Sequence, residues 1–95
     1  MIASPRLRLH QLIADLQSGS LKTELFCSQF EHTYNIELDK QTLTSAEAVA
    51  FAALFEEVVW YSPLREERTQ IPNYRSEEQI ARAVERAVQH LGEER

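Results

Sequence analysis

Apolar positions recur every three or four residues in four stretches of the chain, the spacing that places them on one face of an α-helix. Leu9, Leu12, Ile13 and Leu16 mark the first stretch. Ser4 supplies an N-cap, Pro5 stands at the first helical position, where its missing N–H is no loss, and Gly19 closes the helix by accepting a left-handed conformation. Phe26, Phe30 and Tyr34 form an aromatic stripe along the second, with Leu21 and Leu25 to one side, as if facing a second neighbour. In the third, Ala48, Phe51, Ala52, Phe55, Val58 and Val59 form the expected inner stripe. Thr44-Ser45-Ala46-Glu47 is a capping box ahead of it, and Ser62-Pro63 stops it. Ile80, Ala83, Val84, Ala87, Val88 and Leu91 line the fourth, which opens on the box Ser76-Glu77-Glu78-Gln79 and ends at Gly92. Glu78 and Arg82 stand four apart and are placed to pair. The predicted helices cover about 5–18, 21–34, 45–61 and 77–91. Ile36 and Leu38, in the connector after the second, are expected to dip back onto the core, and the charged segment 64–75 reads as loop. No alternating stretch competes as a strand. The expected fold is all-α, a small antiparallel four-helix bundle forming a single domain over residues 1–95.

Composition narrows the function classes. No apolar run approaches the roughly 18–20 residues of a membrane span, and no apolar leader opens the chain, so a cytoplasmic protein is expected. The single cysteine forms no internal disulfide and fills no zinc site alone. Fifteen acids against ten bases give a net charge of −5, which disfavours nucleic acid and anionic membranes as direct partners and suits a basic protein.

Catalytic patterns are sparse. Cys27 and His32, five apart on one helix, point about 140° apart and do not make a nucleophile–base pair there. His10, His32 and His90 fall on three different helices, without a carboxylate at metal-ligand spacing. The doublets Glu56-Glu57, Glu66-Glu67 and Glu77-Glu78 diverge by about 100° if helical and are not acid/base dyads. No phosphate loop or nucleophile elbow is present. The expectation is a chain that is not an enzyme and takes no cofactor and no metal. A small hydrolase would regain ground if the fold brought His10, Cys27 and a carboxylate into one cleft.

The third helix departs from the usual amphipathic pattern. Its outer face carries Val49, Ala53 and Trp60, edged by Glu56 and Glu57, with no Lys or Arg. An aromatic ringed by acids suits a surface for a basic partner. Alternatively, the following loop folds back and covers Trp60. In that loop Pro63, Arg68 and Tyr74 read as structural anchors, with Ile71 as a further apolar hold, and Glu66 and Glu67 as contact candidates.

With these residues in place, the chain resembles the colicin D immunity protein family from Leu12 to Leu91. The matching features are Leu12-Ile13, Gly19-Ser20-Leu21 and Glu24-Leu25-Phe26 ahead of Phe30. They continue with Leu54-Phe55, Tyr61-Ser62-Pro63, an acidic stretch, Arg68, and Tyr74 leading into an acidic cap. The resemblance implies a helical bundle that inactivates a cognate toxin, in the named family a tRNA-cutting nuclease, by setting acids in the basic cleft where RNA phosphates sit. Family acids late in the third helix and after the proline correspond here to Val59 and Leu64, so Glu56, Glu57, Glu66 and Glu67 are the nearest candidates. The expected partner is a toxin nuclease domain bound through Glu56, Glu57, Trp60, Glu66 and Glu67, by a monomer or homodimer. The alternative is a helical interaction or adaptor module, docking or dimerising around Trp60 without a toxin.

Overall fold

The computed structural model describes residues 4–62, 64, 69–71 and 74–93. Four α-helices form an all-α antiparallel bundle: α1 (Pro5–Ser18), α2 (Thr23–His32), α3 (Ser45–Val58) and α4 (Glu77–Glu93). Their ends follow the local chemistry. Ser4 Oγ accepts the Leu7 N–H at 3.3 Å, and Gly19 takes φ 84° at the C-cap of α1. Thr44 and Glu47 exchange both capping-box hydrogen bonds, at 2.9 and 3.1 Å. Ser76 and Gln79 do the same at 2.8 and 3.3 Å ahead of α4.

The core runs through Leu9, Ile13, Phe26, Phe30, Phe51, Leu54, Ile80 and Val84, all buried. The aromatic stripe of α2 is its centre. Phe30 meets Phe51 edge-on at 6.2 Å between centroids, and Tyr34 stacks on Phe55 at 4.7 Å. Edge-to-face and offset contacts of this kind align the negative ring face with positive ring edges.

Several expectations are corrected. The second helix starts later, at Thr23, and passes into a π-turn over Thr33–Glu37, closed by the Leu38 N–H donating to the Thr33 carbonyl at 2.8 Å. This wider turn carries Tyr34 on the core side but leaves Ile36 67% exposed, so of the expected pair Leu38 packs inward and Ile36 does not. α2 does touch two neighbours, α1 and α3, and Leu21 packs on the core, but Leu25 is exposed. The third helix ends at Val58, short of 61. Its buried stripe is Ala46, Glu47, Ala50, Phe51, Leu54 and Val58, whereas Ala48, Ala52 and Val59 are exposed. Val88 of α4 is also exposed. The loop 62–75 closes at its neck: the Arg75 N–H donates to the Trp60 carbonyl at 2.7 Å, and the Ser62 N–H to the Arg75 carbonyl at 3.0 Å. Among the described residues, no helix is long and apolar enough to cross a membrane.

Candidate functional site

At the C-terminal end of α3 the neck hydrogen bonds fix residues 60–62 against residue 75. Trp60 leaves the helix there with 41% of its surface exposed, and Tyr74 tilts against it at 6.1 Å between centroids. Tyr74 therefore braces one side of the indole, and Ile71 is exposed. Pro63, Glu66, Glu67 and Arg68 lie outside the described residues.

The two glutamates of α3 differ. Glu56 points away from the bundle, exposed, and has no ion pair among the described residues. Glu57 is half-buried and accepts a hydrogen bond from Arg75 Nε at 2.5 Å. The face around Glu57 is thus neutralised by a cation of the following segment. This corrects the expectation that both glutamates present free charge: the carboxylate is committed inside the chain, and an ion pair of mixed sign repels little and attracts little at a distance.

Across α3 lies a second acidic feature, in a depression between α2, its π-turn and the end of α3. Glu24, Glu31, His32, Ile36, Val59 and Tyr61 are among its lining residues, and no Lys or Arg lines it among the described residues. Glu24 and Glu31 are both exposed, and neither has an ion-pair partner among the described residues. Ile36 and Val59 add exposed apolar surface. Glu24 and Glu31 stand seven apart on one helix, so their shared face was readable from spacing alone; the π-turn that swings Ile36 beside them had no sequence signal.

Cys27 is buried beneath this depression. Burial first, and the Glu31 charge second, push its thiol up to about 12, so it is held as an inert thiol at neutral pH. His10 belongs to another cluster. Its Nε2 lies 2.6 Å from Glu47 Oε2, and Arg6 Nε donates to both Glu47 oxygens at 2.8 and 2.9 Å. Burial alone would raise the Glu47 carboxyl; Arg6, the Thr44 N–H and His10 outweigh it and hold it at about 2. This cluster ties α1 to the first turn of α3, and its ligand set is internal. Among the described residues, no group of three His, Cys, Asp or Glu side chains is arranged to hold a metal ion. His32 lies 3.8 Å from Glu37, both exposed.

Compared with known proteins, the chain matches no protein-family model, and neither a curated protein nor a solved structure is significantly similar to it.

Proposed function

We propose that the chain is a cytoplasmic, non-enzymatic immunity protein that captures a basic toxin nuclease domain. The observation that carries this reading is the surface at the end of α3. There the exposed Val59 lines a depression bearing Glu24 and Glu31, with no Lys or Arg among its described lining residues, and the half-exposed Trp60 and the exposed Glu56 stand within three residues of Val59 along the chain. Carboxylates stand in for phosphates against Arg and Lys because both present negative oxygen acceptors to the same donors. An aromatic anchor among them supplies the desolvated contact on which affinity concentrates. The resemblance of the motif order to colicin D immunity proteins favours a nuclease as the target. The acidic surface would include Glu24 and Glu31 in place of Glu57, whose charge Arg75 takes up.

The test is calorimetric titration of candidate basic nuclease toxin domains, a colicin D-type tRNA-cutting domain among them. One-to-one binding is expected, weakened about 30-fold or more by Trp60→Ala. Reversing Glu24, Glu31 and Glu56 to Lys is expected to slow association and flatten its salt dependence. Unchanged affinity in both variants rejects the surface.

A second reading, an adaptor that dimerises around Trp60, is favoured by the Glu57–Arg75 pair, which leaves that side of the patch less acidic. Sedimentation separates the two: a tight homodimer disrupted by Trp60→Ala supports the adaptor.

A further inference from the structure

On the opposite flank of α3 the chemistry reverses sign. A groove runs between α3 and α4, floored by the small buried residues Ala50, Ala83 and Ala87 and walled on the α3 side by the exposed Val49 and Ala53 and by Glu57, whose charge Arg75 takes up. Methyl side chains on the floor make a channel where larger ones would make a ridge, so the side chains of another helix can settle close. The α4 wall is cationic. Arg86 borders both this groove and a second depression, continuous with it, that also holds Arg75, Gln79 and Arg82. Gln79, Arg82 and Arg86 fall at i, i+3 and i+7 and form one row along α4, with Arg75 just ahead of the helix. Arg86 is exposed without an ion pair among the described residues. Arg82 has only Glu78, 3.9 Å away, with both side chains largely in solvent, a pairing that holds little charge back. Glu85 lines a different depression, toward α1. In a chain of net charge −5, an apolar channel with two available guanidiniums on its rim is a local inversion of the molecule's field.

We propose that the α3–α4 groove docks an acidic amphipathic helix of a partner protein. The partner's apolar stripe lies on Val49, Ala53 and the alanine floor, and its flanking carboxylates meet Arg82 and Arg86. From Gln79 to His90 the groove offers roughly 17 Å, about three turns of a docked helix. Helix-in-groove recognition reads such a ligand through anchors at i, i+3 or i+4, and i+7. The carboxylates select by sign, because a basic helix would be repelled at the same rim. The proposal does not rest on the toxin reading: the groove lies between α3 and α4, whereas the depression with Glu24 and Glu31 lies between α2 and the end of α3.

The experiment uses the full chain and a labelled 14-residue helical peptide with a Leu/Ala seam flanked by Glu, beside a twin with Lys replacing Glu. Fluorescence anisotropy is expected to show saturable one-to-one binding of the Glu peptide and at least tenfold weaker binding of the twin. The double variant Arg82→Glu/Arg86→Glu, on an exposed face, is expected to keep its thermal melt and lose at least tenfold in affinity. Ala53→Glu is expected to lose at least fivefold. Amide shifts on titration should move at Val49, Ala53, Ala87 and His90, and stay still at Glu31 and Ile36. No binding of the Glu peptide, equal binding of the twin, an unaffected double variant, or shifts confined to the Glu31 side would each overturn the proposal. A dimer of the free chain that requires Arg82 and Arg86 would give the groove to a second copy and overturn it as well.

Discussion

Glu47 illustrates how much one side chain can do in a bundle this small. Its carboxylate accepts the Thr44 N–H at the cap of α3 and the Arg6 guanidinium and His10 ring from α1. Its sequence position announces only the cap, because Arg6 and His10 reach it across 41 and 37 residues. Its folded pKa lies at about 2, below the ordinary value of 4.5. The stabilisation it gives is therefore complete above about pH 4.5 and is lost as pH falls towards 2. Glu47→Gln is expected to lower stability by about 2 kcal/mol at pH 7 and to flatten the acid limb. Urea melts of both proteins at pH 7 and pH 3 check this; a variant as acid-sensitive as the parent would contradict it. Cys27 gives a second residue-level expectation. Its thiol, pushed up to about 12, should resist a thiol reagent at pH 8 in the folded chain and react at once in denaturant.

Among the elements, the helix ends were the most legible part of the sequence, because Ser4, Gly19, the Thr44–Glu47 box and the Ser76–Gln79 box act through local backbone groups. Gly19 tests that locality. An added Cβ there meets no atom within 4 Å, so Gly19→Ala pays only for φ 84°. It is expected to destabilise by about 1 kcal/mol in thermal or urea melts; a neutral effect would mean the cap relaxes. The rotation of α3 was not legible. Residues 48–55 are eight consecutive apolar positions, so no polar face points the helix, and packing against Phe30 and α4 decides it. The π-turn was hidden for a related reason. Phe26, Phe30 and Tyr34 sustain a four-residue rhythm into it, and the widening follows only in the backbone. Of the candidate site, Trp60, Glu56 and the bracing role of Tyr74 were readable from the pattern. The neutralisation of Glu57 was not, because Arg75 reaches it only once the loop closes.

At the scale of the molecule, the net charge of −5 is distributed unevenly over two flanks of α3. The α2 side bears Glu24 and Glu31 beside exposed Ile36 and Val59; the α4 side bears Arg82 and Arg86 beside an alanine-floored groove, and Glu56 and Trp60 are exposed on and just after α3. Exposed charges act over roughly 8 Å at physiological ionic strength, so each flank presents its own sign to an approaching protein. Raising salt from about 50 to 500 mM should slow toxin association by an order of magnitude or more while leaving dissociation nearly unchanged, as stopped-flow mixing would show. The most direct measurement is calorimetric titration of candidate basic nuclease toxin domains into the parent chain and into the combined variant Glu24→Lys/Glu31→Lys/Glu56→Lys/Trp60→Ala. The expected result is a tight one-to-one complex with the parent and a loss of at least a hundredfold in the variant, with its melt preserved. Absence of heat with the parent, or equal affinity in the two, would contradict the acidic capture surface.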